Sequence, residues 1–121
     1  MATVLICDDS EYLRLTIKQI LNKMGHVVIG EASNGEEAVE LYSKYRPDLV
    51  TMDVIMPKMN GLQALERILE LDPEAKILIV TALSHEPLIK RALAMGALGF
   101  VIKPFSVEEL MKGVNSVLSM V

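Results

Sequence analysis

Five short apolar runs punctuate this sequence, and four of them end in residues that can do chemistry. Val4-Leu5-Ile6-Cys7 is followed by Asp8 and Asp9, Leu49-Val50-Thr51-Met52 by Asp53, Ile77-Leu78-Ile79-Val80 by Thr81, and Phe100-Val101-Ile102 by Lys103. The remaining run, Val27-Val28-Ile29, leaves through Gly30 and Glu31. Three carboxylates gathered at one place repel one another, and removal from water sharpens the repulsion. Either one of them takes up a proton, or a hard divalent cation binds among them with Lys103 as a further counter-charge. Carboxylates, waters and a backbone carbonyl suit Mg²⁺, which wants six oxygens and keeps several of its waters. Such a cation works with phosphate groups, and Lys103 as a point charge and Thr81 as a hydroxyl donor are suitable phosphoryl partners. The glycines form neither a dinucleotide fingerprint nor a P-loop, so no nucleotide cradle is present in the sequence. A carboxylate can instead accept a small phosphoryl group covalently, as an aspartyl phosphate.

These residues meet only if the apolar runs are strands of one sheet. Between the runs the apolar residues switch to helical spacing: Leu13, Ile17, Ile20, Leu21 and Met24; then Ala38, Leu41, Tyr42 and Tyr45; then Leu62, Leu65, Ile68 and Leu69; then Ile89, Ala92 and Leu93; then Val107, Leu110, Met111, Val114, Val117 and Leu118. Ser10 or Asp9 is a candidate cap for the first helix, Ser33 with Glu36 reads as a capping box for the second, Ser84 with Pro87 opens the fourth, and Ser106 with Glu109 boxes the fifth. Gly25, Pro47 and Asp72-Pro73 supply stops. Strand and helix alternate five times, which predicts a parallel sheet with helices on both faces. Continuous apolar runs fit strands buried on both sides. Five strands are too few for an eight-stranded barrel. The sheet is therefore open and doubly wound, and ligands bind beyond the carboxyl ends of its strands, where the acids and the lysine lie.

Composition narrows the function. The 121 residues predict one domain, residues 1–121, with no room for an output domain. With 51% hydrophobic and 23% charged residues the chain is not of the disordered class. Twelve basic and 16 acidic side chains give a net charge of −4, which argues against nucleic acid or an anionic membrane as the main partner. A single cysteine, Cys7, excludes an internal disulfide and reads as a small buried hydrophobe. No basic leader opens the chain, and no apolar stretch reaches the roughly 18 residues a membrane span needs. A cytoplasmic protein is expected. His26 and His85 stand apart and read as surface residues, and the eight methionines as core or loop filler.

Taken in order, Cys7-Asp8-Asp9-Ser10, Asp53-Val54-Ile55-Met56-Pro57 with Asn60-Gly61, Thr81-Ala82 and Lys103-Pro104-Phe105 resemble the receiver domain of the response-regulator family. The likeness extends from Val4 to Leu118 and is strongest to free-standing chemotaxis receivers of the CheY type. It implies a flavodoxin-like (βα)₅ fold with strand order 2-1-3-4-5. It implies that Asp53 is the phosphoacceptor of a two-component relay, taking its phosphoryl group from a phosphohistidine on a sensor histidine kinase (CheA-like). Asp8, Asp9, Asp53 and the backbone carbonyl of Ile55 would hold Mg²⁺. Lys103 would contact the phosphoryl group and Thr81 would donate its hydroxyl to it.

The switch implied by the resemblance couples Thr81 to Phe100, which stands where relatives carry an aromatic residue that turns inward. A cis peptide is expected at Lys103-Pro104. The output face would combine the fourth helix, fifth strand and fifth helix, with Lys90, Arg91, Phe100 and Lys112 toward a protein partner such as the flagellar motor switch. A phosphatase is a possible further partner, and a monomer is expected. Ile55 and Leu83 are apolar where relatives often carry groups that orient water, so slow self-dephosphorylation is expected. The protein would then be a switch rather than a turnover enzyme.

Other readings use the same residues. A phosphorelay intermediate would look alike. A phosphohydrolase with an aspartyl nucleophile usually carries a second Asp two residues on, where this chain has Ile55. A pseudo-receiver that never accepts phosphate is expected to lack one of the acids or the lysine, all of which are present.

Overall fold

The computed structural model describes residues 1–120. Within them lie β1 (Thr3–Cys7), α1 (Glu11–Lys23), β2 (Val27–Ala32), α2 (Gly35–Tyr45), β3 (Leu49–Met52), α3 (Gly61–Leu71), β4 (Ile77–Thr81), α4 (Glu86–Met95), β5 (Gly99–Ile102) and α5 (Val107–Leu118). The strands form one parallel sheet in the order β2-β1-β3-β4-β5. The flavodoxin-like arrangement expected from the sequence is therefore the one observed.

Alternation along each strand divides the core into two layers. Leu5, Cys7, Val50, Met52, Ile77 and Ile79 face Ala38 and Tyr42 of α2, Leu65 and Ile68 of α3, and Ala92 of α4. Val4, Ile6, Leu49, Leu78 and Val80 face Ile17, Ile20 and Leu21 of α1 and Leu110, Val114 and Val117 of α5. β3 and β4 are wholly buried, as expected of mostly apolar strands; Thr51 and Thr81 are their polar residues. β2 lies at an edge and leaves Val27 exposed.

Several local expectations are corrected. The cap of α2 is Asn34, whose Oδ1 accepts the amide of Glu37 at 2.9 Å. Ser33 stands one residue earlier and instead donates its amide and hydroxyl to the Glu37 carboxylate, both at 2.8 Å. Those two hydrogen bonds hold the Glu37 carboxyl below its ordinary range. Ser84 does not cap α4; His85 occupies that position without a side-chain hydrogen bond. Asn60 and Gln63 form a capping box at α3 that was not foreseen. Leu93, Tyr45 and Val107 have the spacing of inward residues yet are exposed: Tyr45 is the last residue of α2 and Val107 the first of α5, and Leu93 stands about 100° around α4 from buried Ala92. Ser10 caps α1, and the box of Ser106 with Glu109 opens α5 as expected. His85 is exposed, whereas half-buried His26 accepts the Ala2 amide at 3.0 Å. Cys7 is buried, and burial pushes its thiol well above the ordinary range.

α4 has the weakest hold on the body of the domain. Ala92 is its only buried side chain, against three on α1 and four on α3. A fully buried Leu or Ile contributes about 1.5–3 kcal/mol, which Ala cannot match. With no cap bond as well, α4 belongs to the low-stability end of the fold.

Candidate functional site

The site begins where β1 and β3 stop. Cys7 pairs with Met52 across these neighbouring strands, so the residues that follow come out side by side. Backbone hydrogen bonds continue past the strand ends. Asp53 donates its amide to the carbonyl of Cys7 at 2.9 Å, and Asp8 donates its amide to that of Ala32 at 2.9 Å. Carboxylate oxygens of Asp8, Asp9 and Asp53 lie within 4.8 Å of one another. Asp8 and Asp53 are buried, at 1% and 6% exposure, while Asp9 faces solvent.

Lys103 closes the cluster. Its Nζ donates to Asp8 Oδ2 at 2.6 Å and to Asp53 Oδ2 at 3.0 Å. It arrives from β5, whose neighbour in the sheet is β4; the Lys103 amide donates to the carbonyl of Thr81 at 2.8 Å. The Lys103-Pro104 peptide is cis. Burial pushes the Asp8 carboxyl above its ordinary value, with the Lys103 ammonium and the Ser10 amide working against that rise. Burial works to lower Lys103, but its two carboxylate partners outweigh this and hold it above its ordinary value.

Of the remaining predicted residues, Thr81 and Ile55 adjoin this centre. Thr81 is fully buried at the end of β4, and its Oγ1 has only a long contact, 3.4 Å, from the Leu83 amide. Ile55 sends its amide toward Asp53 Oδ1 at 3.4 Å and exposes its side chain. Phe100 is half-buried and packs against the cluster that also holds Leu83, Leu88 and Met95. Lys90, Arg91 and Lys112 lie on the exposed surface, apart from the acids; Lys90 pairs with Glu86 of its own helix at 3.2 Å. Phe100 and Lys112 line a groove between β5 and α5 with Glu109 and Ser116.

Arg14 escaped the sequence reading, and Gly61 entered it only as part of the motif that carries the family resemblance. Arg14 Nη1 donates to the backbone carbonyl of Asp8 at 2.7 Å, and its Nε donates to Glu31 Oε1 at 3.1 Å. Gly61 donates its amide to the carbonyl of Val54 at 2.8 Å, bringing the start of α3 against the Asp53 backbone. The signal for the first was available in Glu31, the polar residue near the end of the one strand that supplies none of the central side chains.

The donor set fits a hard cation. Three carboxylates converge and one lysine answers two of them; Asp9 enters no ion pair among the described residues. An all-oxygen set of this kind selects Mg²⁺ over softer metals. Asp8, Asp9 and Asp53 would hold it.

Comparison with known proteins agrees with this geometry. Residues 4–115 match the response regulator receiver domain. The chain belongs to this family. It is a receiver of two-component signalling, and its chemotaxis relatives are extensive. It is 43% identical over 114 residues to the chemotaxis protein CheY of Thermotoga maritima, covering 94% of this chain and 95% of that one. It is 42% identical over 118 residues to protein CcdB of Bacillus subtilis, covering 98% of each. Its fold superimposes on a chain of the crystal structure of the CheX-CheY-BeF₃-Mg complex from Borrelia burgdorferi with a TM-score of 0.95 and 38% identity, covering 98% of this receiver and 90% of that chain. No helix of the described residues is long and apolar enough to cross a membrane.

Proposed function

We propose that this receiver accepts a phosphoryl group on Asp53 from a phosphohistidine of a sensor kinase, and that the phosphorylated form binds a downstream protein in chemotaxis. The observation that carries the reading is Lys103 Nζ set between Asp8 and Asp53, at 2.6 and 3.0 Å, inside a cluster of three carboxylates. An Asp53 oxygen forms the new P–O bond while the P–N bond to the donor imidazole breaks, and the electron pair leaves with the imidazole. Phosphoryl transfer asks the protein for positioning and charge neutralisation rather than covalent assistance. Lys103 supplies a positive charge already within hydrogen-bond reach of the acceptor. Bound Mg²⁺ would neutralise charge on the transferring group. Backbone bonds from Asp53 to Cys7 and from Asp8 to Ala32 hold the carboxylates in place. The backbone carbonyl of Ile55 is proposed as a further cation ligand.

The phosphoryl group adds about −1.5 to −2 charge and new acceptor oxygens. Thr81, buried with a weakly engaged hydroxyl, is the donor placed to answer them. Movement of Thr81 draws on the loop before α4, the loosely held helix, and Phe100 packs in the same layer. The population shift then alters the face made by α4, β5 and α5, with Lys90, Arg91, Phe100 and Lys112 toward the partner. The CheY relatives and the CheX-CheY complex support a protein partner in chemotaxis. The flagellar motor switch as the output, a phosphatase as a further partner and the cytoplasm as the place of action are part of the proposal. The receiver serves as phosphoacceptor and not as a turnover enzyme.

The test is incubation with acetyl phosphate and Mg²⁺ followed by intact mass measurement. One phosphoryl adduct is expected, lost in Asp53→Asn and lost with chelator. Continuous phosphate release without an adduct, or no adduct at all, refutes the reading.

A further inference from the structure

We propose that Arg14 is a positioning residue for the cation-binding loop, fixing the peptide between Asp8 and Asp9 against β2 so that the Asp9 carboxylate is presented to a divalent cation. The inference rests on the reading of Asp8, Asp9 and Asp53 as the cation site. The Asp8 carbonyl belongs to the planar unit that also carries the Asp9 amide, so its direction sets where Asp9 goes. Arg14 Nη1 binds that carbonyl at 2.7 Å. The other polar groups of Asp8 are held too: its amide by the Ala32 carbonyl, Oδ1 by the Ser10 amide at 2.9 Å, and Oδ2 by Lys103. Asp9 has no ion pair of its own among the described residues, so its placement depends on these neighbours.

The anchor for Arg14 is Glu31 on β2, which accepts Nε at 3.1 Å and also lies 3.8 Å from Lys18. The arginine side chain is only 15% exposed, while its Glu31 partner is 37% exposed, so the clamp reaches from the interior to the surface. A guanidinium presents five donors in a rigid fork and can span two acceptors on different elements; a lysine ammonium on a flexible stem cannot hold the same geometry. β2, the strand that sends no side chain to the centre, thereby braces it from outside.

Charge and positioning predict opposite signs. A guanidinium beside a cation site repels the cation, so deleting it for charge alone tightens binding. Loss of positioning weakens binding. Mg²⁺ is titrated calorimetrically into metal-free wild type, Arg14→Ala, Arg14→Lys and Glu31→Gln, with urea unfolding of each in chelator. Outer partners of metal ligands typically alter affinity by 10- to 100-fold; the expected losses are about 10-fold for Arg14→Ala, about as much for Arg14→Lys, and about threefold for Glu31→Gln. At saturating Mg²⁺ the acetyl phosphate reaction of each variant should return to within about threefold of wild type, as expected when ligand placement and not chemistry was changed. Unchanged or tighter Mg²⁺ binding in Arg14→Ala, or full recovery in Arg14→Lys, overturns the proposal. Should Arg14→Ala fail to fold, Glu31→Gln decides, and wild-type affinity there overturns it. A wild type that binds no Mg²⁺ overturns the cation site itself and this inference with it.

Discussion

Replacement of Gly61 by Ala sets local helix preference against packing at the phosphoacceptor. Gly61 is the first residue of α3, and Ala is favoured over Gly in a helix interior by about 1 kcal/mol, less in the first turn. On propensity alone Gly61→Ala stabilises the protein. A Cβ on Gly61, however, falls 1.9 Å from the Asp53 carbonyl oxygen, 2.8 Å from its carbon and 2.9 Å from Val54 Cα. Cβ atoms do not approach within 3.0 Å of such atoms, so backbone must give by at least about 1.1 Å. Neither side yields easily. Gly61 is tied to the Val54 carbonyl, and Asp53 to Cys7 and Lys103. Overpacking of this kind costs about 1–3 kcal/mol, more than the helix gains. A displacement of about 1 Å at a reacting group can lower its rate about 100-fold. Urea unfolding of Gly61→Ala should show a net loss of about 1–2 kcal/mol, and initial rates of phosphoryl uptake from acetyl phosphate should fall by about two orders of magnitude. A variant as stable as wild type and phosphorylated at the same rate would refute the claim that contact between α3 and the Asp53 backbone positions the acceptor.

Three further outcomes are expected. Thr51 is buried in β3 at 1% exposure and its hydroxyl has no partner, so Thr51→Val should gain about 1 kcal/mol in urea unfolding; a loss would mean the hydroxyl is satisfied. Tyr42 donates its hydroxyl to Asp72 Oδ2 at 2.7 Å, and this bond holds the Asp72 carboxyl below its ordinary value. The bond's contribution is therefore complete above the unfolded pKa of about 3.9 and is lost as pH falls through the lower folded value; Tyr42→Phe should cost about 1 kcal/mol at pH 7 and progressively less as pH falls below that unfolded pKa, and a cost that does not change with acidification would refute the linkage. Ile55 is exposed beside Asp53 and cannot orient water; Ile55→Asn should speed loss of the acyl phosphate about threefold, ~0.6 kcal/mol of barrier, in a mass-resolved decay assay, and an unchanged lifetime would count against that role.

The sheet and its chemistry were legible for one reason. Central parallel strands are buried on both faces, so they appear as unbroken apolar runs, and the first polar residue after each run marks the carboxyl edge. Asp8, Asp53, Thr81 and Lys103 could all be placed at that edge from the spacing alone, and β3 was delimited residue by residue. Helix caps were less legible. Ser33 and Asn34 are both good caps, and the choice between them depends on which one has extended backbone where α2 begins. Leu93 and Val107 satisfy a 3.6-residue period and still face solvent, because periodicity gives a direction around the helix but neither the width of the surface it meets nor where along the helix that surface ends, and Val107 is the first residue of α5.

The amino-acid order by itself determined the alternation of strand and helix, the edge at which the acids emerge, and the kind of cation and group they suit. The family resemblance supplied the strand order; tertiary structure alone decided how deeply Asp8 and Asp53 were buried and that Lys103 reached both. It also decided that Arg14 would clamp the Asp8 carbonyl to Glu31, joining residues 6 and 17 positions away from the arginine. The physical reason is reach: burial pattern is written into each segment locally, whereas a long flexible side chain finds its acceptors only after the sheet has set distances that no local period encodes.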